Sequence, residues 1–93
     1  MTVRVAVAGL GYWGPNLARN FAGLADCEVA WLCDSSADAI ERVAPRIPRA
    51  RTTGDLDEVL ADGSLDAVVL ATPVPTHAAL AERVLCAGKH CFV

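Results

Sequence analysis

Val3-Arg4-Val5-Ala6-Val7-Ala8-Gly9-Leu10-Gly11-Tyr12-Trp13-Gly14-Pro15-Asn16-Leu17-Ala18-Arg19-Asn20-Phe21 is the stretch whose reading decides the fold. Its first six residues are apolar apart from Arg4, as in a strand buried on both faces of a parallel sheet. After the glycines, apolar residues return at helical spacing. The glycines therefore occupy a strand-to-helix turn. Gly9 suits a tight exit from the strand, Gly11 offers a backbone that a pyrophosphate can approach, and Gly14 lets the helix lie close to the strand. A helix N-terminus behind such a turn attracts anions through its free N–H groups and its dipole. Pro15 fits the first helical turn, where its missing N–H costs nothing.

Outward from this stretch the chain alternates between the two periods. Helix one is expected over about Pro15 to Leu24, with Gly23 near its end, and strand two over Glu28 to Cys33. Helix two follows from Ser36, a good N-cap, to Ala44, and stops before Pro45. A short third strand near Arg49 to Thr52 reads as a sheet edge. Asp55 should cap helix three, with Glu58 completing a capping box, and Gly63 should end it. Ala67-Val68-Val69-Leu70-Ala71 is the clearest later strand. Helix four should start around Pro75-Thr76 and end at Gly88, followed by strand five over His90 to Val93. This βαβαβαβαβ order predicts an α/β fold, a doubly wound parallel sheet, over residues 1–93 as one domain. Right-handed crossovers give the strand order 3-2-1-4-5, with a crevice where the order reverses.

Two features beyond the glycines point into that crevice. Asp34 ends strand two, 20 residues after Gly14, where a carboxylate accepts hydrogen bonds from the adenine ribose hydroxyls of a dinucleotide. It would repel a 2′-phosphate, so NAD is expected ahead of NADP, although Arg42 one helical span away keeps NADP open. The bland alternative is an Asp that caps helix two. Ala71-Thr72-Pro73-Val74-Pro75-Thr76-His77 is the second feature, a turn stiffened by two prolines. Ala71, Thr72 and Pro73 should line the nicotinamide side. His77 either touches the ligand there or is a half-buried helix histidine with a backbone partner. Tyr12 and Trp13 either cover the ligand or staple the loop, with ligand contact favoured for Trp13. Trp31 and His90 read as structural.

Composition narrows the function classes. Of 93 residues, 54% are hydrophobic and 20% charged, a globular balance. Eight basic residues without a dense cluster and a net charge of −3 argue against nucleic-acid binding. No apolar stretch reaches the length of a membrane span. The first strand runs straight into the glycine turn with no charged-then-apolar leader, so a cytoplasmic location is expected. Cys27, Cys33, Cys86 and Cys91 form no Cys-x-x-Cys pair. They read as small packed residues in a reducing compartment, and no metal site is expected.

Taken together, Gly9-Leu10-Gly11-Tyr12-Trp13-Gly14-Pro15-Asn16-Leu17-Ala18-Arg19-Asn20-Phe21, Asp34, Ala71-Thr72-Pro73 with His77, and Ala87-Gly88-Lys89-His90-Cys91-Phe92-Val93 resemble the N-terminal Rossmann domain of the Gfo/Idh/MocA oxidoreductases. The Tyr-Trp-Gly-Pro-Asn-Leu-Ala-Arg-Asn-Phe run is similar to members acting on nucleotide-linked amino sugars, of the UDP-N-acetylglucosamine or glucosaminuronate 3-dehydrogenase type. The resemblance implies a nicotinamide-dependent enzyme acting on a sugar or cyclitol hydroxyl. Carried over, Gly9, Gly11, Tyr12, Trp13 and Gly14 would hold the pyrophosphate, Asp34 the ribose, and Thr72, Pro73 and His77 the nicotinamide half. In the family the Gly-Lys-His strand continues into Glu-Lys-Pro, whose lysine is a catalytic candidate. The sequence stops at Val93, and no catalytic residue is expected within it. The expectation is a domain cut before its C-terminal substrate domain, inactive alone.

The same residues also suit a stand-alone nucleotide-sensing module, and more distantly a Rossmann methyltransferase that binds S-adenosylmethionine. A strand five left at the sheet edge, with Cys91, Phe92 and Val93, or the uncovered apolar surface beside it, should recruit a second copy to form a homo-oligomer. Sedimentation at rising concentration should then show association; a monomer at high concentration would refute it.

Overall fold

β1 (Val3–Ala8) is the central strand, and every other element is placed relative to it. A computed structural model describes residues 2–93. After β1 come α1 (Gly14–Ala22), β2 (Cys27–Cys33), α2 (Ala37–Val43), β3 (Arg51–Thr53), α3 (Leu56–Leu60), β4 (Ala67–Leu70), α4 (His77–Cys86) and β5 (His90–Phe92). Short 3-10 turns cover Ala44–Arg46 and Val74–Thr76. All pairings are parallel and the order is β3-β2-β1-β4-β5, the expected doubly wound arrangement.

Alternation along β1 builds two cores. Val5 and Val7 face Ala18 of α1 and Ala39 and Val43 of α2. Ala6 and Ala8 face the opposite layer, with Val59 of α3 and Val84 of α4. Val7, Leu10 and Leu32 are fully buried, each contributing roughly 1.5–3 kcal/mol of transfer free energy. β2 breaks the alternation. Val5 pairs with Val29 but Ala6 pairs with Trp31, so Ala30 is an extra residue. Ala30 and Trp31 consequently share one face, which lets the large indole enter the α3/α4 layer.

Several boundaries differ from the sequence expectation. α1 ends at Ala22 rather than Leu24, where the Gly23 N–H bonds back to Arg19 O. β3 begins at Arg51 rather than Arg49, and it is an edge strand. α4 starts at His77, because Val74–Thr76 forms a 3-10 turn instead, closed by the Thr76 N–H donating to the Pro73 carbonyl at 2.9 Å. Ser36 caps α2 as expected, accepting from the Ala39 N–H at 3.3 Å. The capping box of α3 is not made. Asp55 accepts from the Asp57 N–H, but its own N–H donates to Thr53 Oγ1, and Glu58 Oε2 bonds the same hydroxyl. A threonine two residues before the cap supplies both a donor and an acceptor and stands between the two ends of the box. α3 ends at Leu60, ahead of Gly63, where Asp62 turns the chain by accepting from the Ser64 N–H. Gly88 follows α4 with φ +80°, the left-handed geometry of a C′ glycine.

At the amino end of the sheet sits a polar network that the pattern did not reveal. Lys89 is only 7% exposed, and its Nζ donates to the carbonyls of Asp62 (2.8 Å) and Leu65 (3.1 Å). Trp31 is core, as expected, but its Nε1–H donates to Asp62 Oδ2 at 2.8 Å. The Arg51 guanidinium lies 5.3 Å from the Trp31 ring centre. Of the four free thiols, Cys33 is buried and its pKa is pushed up to about 11, mainly by burial. Cys27 and Cys91 are half-buried. Cys86 is exposed on α4, which departs from the packed reading.

Two glycines of the β1–α1 turn, Gly9 and Gly14, have no room for a side chain. A Cβ on Gly14 would overlap the Gly9 carbonyl oxygen, and one on Gly9 (φ +96°) would lie 2.6 Å from the Ala71 and Thr72 backbone. Gly14→Ala should therefore cost about 3 kcal/mol or more in urea unfolding; a loss below about 1 kcal/mol would contradict the close approach. Hydrogen bonds from Ser64 first, and then Trp31, hold the Asp62 carboxyl well below the usual carboxylate range. A depressed carboxyl stabilises the fold above its unfolded pKa, and that contribution fades as pH falls toward its folded pKa. Asp62→Asn should thus lower stability at pH 7 while flattening the loss between about pH 4 and pH 2. Parallel acid limbs for the two proteins would refute this.

Candidate functional site

A cleft of about 760 Å³ opens at the carboxyl ends of β1, β2 and β4, where the strand order reverses. Gly9, Gly11, Tyr12 and Trp13 form its middle wall, Asp34 one end, and Ala71, Thr72 and Pro73 the other. Gly14 and His77 do not line it. Gly14 is buried beneath the turn against Gly9. The His77 ring is turned to the Thr72 carbonyl, with Nε2 at 2.7 Å from the oxygen.

The glycine loop is held from three sides. The Gly9 N–H donates to Cys33 O at 2.8 Å, the Ala71 N–H donates to Ala8 O at 2.8 Å, and the Leu10 N–H donates to Asp34 Oδ2 at 2.7 Å. Asp34 Oδ1 accepts from the Ser36 N–H at 2.7 Å. Asp34 therefore does not cap α2, which Ser36 does. It ties the glycine loop to the β2–α2 turn, and each carboxylate oxygen keeps a further lone pair. A Cβ on Gly11 would meet nothing within 4 Å, so this backbone is open to the cleft. α1 has no side-chain cap and no acidic residue in its first turn, which leaves its positive end for an anion. Tyr12 and Trp13 stack edge to face at 5.0 Å and remain 79% and 63% exposed at the rim, stapled to each other rather than to a helix.

Other lining residues were not named as site residues from the sequence, although Val74 lies within the turn that was. Ser35 and Gly54 follow β2 and β3, Leu56 and Leu80 come from α3 and α4, and Val74 and Cys33 complete the walls. Gly54 has the signal of a glycine just after a strand. Leu56 and Leu80 read as ordinary helix-core positions, because only packing against the sheet brings them to the cleft. Among the described residues no group of His, Cys, Asp or Glu is arranged to hold a metal ion. Among the described residues no helix is long and apolar enough to cross a membrane.

Residues 3–93 match the Gfo/Idh/MocA family, described as an oxidoreductase family with an NAD-binding Rossmann fold. The chain is 41% identical over 76 residues to an inositol 2-dehydrogenase of Rhodococcus jostii (strain RHA1), covering 81% of this chain and 21% of that protein. It is 34% identical over 91 residues to a UDP-N-acetylglucosamine 3-dehydrogenase of Acidithiobacillus ferrooxidans, covering 98% and 28%. The crystal structure of GenD2 from gentamicin A biosynthesis, in complex with NAD, superposes with a TM-score of 0.91 at 34% identity, covering 97% of this chain and 26% of that one. The chain thus spans between 21% and 28% of the length of these relatives. The crevice at the strand switch point, the open backbone at Gly11 and a family match over nearly the whole sequence converge: this chain belongs to the Gfo/Idh/MocA oxidoreductase family, as its NAD-binding Rossmann domain.

Proposed function

We propose that the chain binds NAD across this cleft, as the cofactor domain of an oxidoreductase acting on a CH–OH group of a sugar or cyclitol. The observation that carries the reading is the pairing of a carboxylate at Asp34 with an open glycine backbone one strand away. When bound, the nicotinamide would supply a hydride acceptor for the carbinol carbon or, in its reduced form, a hydride donor to the corresponding carbonyl carbon. Gly9, Gly11, Tyr12, Trp13 and Gly14 shape the pyrophosphate seat, where the uncapped N-terminus of α1 offsets the phosphate charge. Gly14 contributes from beneath by letting the helix approach. Asp34 accepts from the adenine ribose hydroxyls with its free lone pairs, and its charge disfavours a 2′-phosphate, so NAD is preferred to NADP. Ala71, Thr72 and Pro73 bound the nicotinamide side, and His77 supports that wall from behind.

Around the cleft, Asp34 is tied to two amides and assigned to the ribose, and burial raises the Cys33 thiol, so neither is a ready base for an alcohol proton. The span of only 21% to 28% of the relatives' length supports the reading that the chain alone binds cofactor without turnover and that a substrate domain of the parent protein completes the catalytic site. The relatives' printed activities on inositol and on UDP-N-acetylglucosamine support a polyhydroxylated ring as substrate, with the amino-sugar nucleotide type favoured by the Tyr12-Trp13 segment. Four free thiols support a reducing, cytoplasmic setting. The exposed Phe92 on the outer strand β5 supports self-association.

Calorimetric titration tests the cofactor reading. The 93-residue chain should bind NAD more tightly than NADP. Asp34→Ala should lose roughly tenfold or more in NAD affinity, the scale of a charge-assisted hydrogen bond. Gly11→Ala should fold normally and still bind NAD poorly, because its methyl enters open cleft rather than protein. Unchanged NAD affinity in both variants, or no binding by a folded wild-type chain, would overturn the proposal.

A further inference from the structure

Counting protons in the β4–α4 turn reveals the polarity of one end of the cleft. Thr76 Oγ1 lies 2.6 Å from the Pro73 carbonyl oxygen and 2.7 Å from Thr72 Oγ1. A hydroxyl has one proton to donate and two lone pairs. The Pro73 carbonyl can only accept, and two unprotonated oxygens facing each other at that distance repel. The Thr76 proton therefore lies toward Pro73, and the Thr72 hydroxyl is the donor to Thr76. The Thr72 carbonyl is engaged by His77 Nε2 at 2.7 Å; because a carbonyl accepts, that nitrogen carries a proton in either charge state of the ring. Both Thr72 oxygens are thus left with lone pairs only.

Thr72 lines the cleft at the end of β4, two strands across the sheet from Asp34 at the end of β2. We infer that Thr72, set by Thr76 and His77, is an acceptor-only station that selects a ligand group presenting an N–H donor and rejects one presenting an anion or a bare acceptor. The inference rests on the reading that the cleft takes a nicotinamide dinucleotide with its adenosine half at Asp34. The group at Thr72 is then the carboxamide, and the site distinguishes the amide form of the cofactor from its acid form. Thr76 and His77 act through Thr72 and are positioning residues.

Three dinucleotides test this on the full chain by calorimetry: NAD, 3-acetylpyridine adenine dinucleotide and nicotinic acid adenine dinucleotide. The acetylpyridine compound lacks the N–H donor without adding charge, and should bind about tenfold more weakly than NAD. The acid should bind more weakly still. Thr76→Val removes the acceptor of the Thr72 proton and frees that hydroxyl to donate, so the NAD-to-acid affinity ratio should shrink several-fold, with circular dichroism confirming the fold. Equal affinity of wild type for all three compounds would overturn the station while leaving the cofactor reading intact. An unchanged ratio in a folded Thr76→Val would also overturn it. Failure of the folded wild-type chain to bind any of the three would overturn the cofactor reading and the station together.

Discussion

The structure depends on how closely three backbone segments approach one another at the end of β1. Gly14 lies against the Gly9 carbonyl, and Gly9 in turn lies against the Ala71 and Thr72 backbone. A side chain at either position would separate α1 from the sheet or push the β4–α4 turn away from it. That packing brings the middle of the cleft and its β4 end within reach of one ligand. It also explains the division among the three glycines: two are occupied by protein, and the third, Gly11, has open space beside it.

Asp34 extends the same constraint to the next strand. Its carboxylate takes the Leu10 N–H from the glycine loop and the Ser36 N–H from the turn before α2. A carboxylate positioned by two backbone donors, one on each oxygen, is already oriented before any ligand arrives, so less ordering is left to binding. The same contacts mean that replacing Asp34 disturbs the loop as well as the ligand, which is why Gly11 serves as the independent probe.

The two ends of the sheet solve different problems. At the carboxyl end, charge and open backbone face the cleft. At the amino end, Lys89, Asp62 and Trp31 satisfy one another away from it. A buried ammonium is tolerable only because carbonyls of the α3–β4 connection accept from it. The extra residue in β2 belongs to the same solution, because it turns Trp31 toward Asp62.

The strand and helix sequence, the sheet order and the location of the crevice were legible from residue order alone. Apolar period, glycine spacing and caps such as Ser36 are local properties, and the crossover rule turns them into a topology. Asp34 was legible too, because its distance from the glycines is set along the chain. What only the tertiary structure decided was which groups meet across strands. The Thr53 hydroxyl replaced the reciprocal half of the capping box, Leu56 and Leu80 arrived at the cleft from helix cores, and His77 turned to Thr72 instead of lining the cleft. A hydrogen bond is set by distances of a few tenths of an ångström between atoms that sequence spacing does not place, and only the packed sheet brings those atoms together.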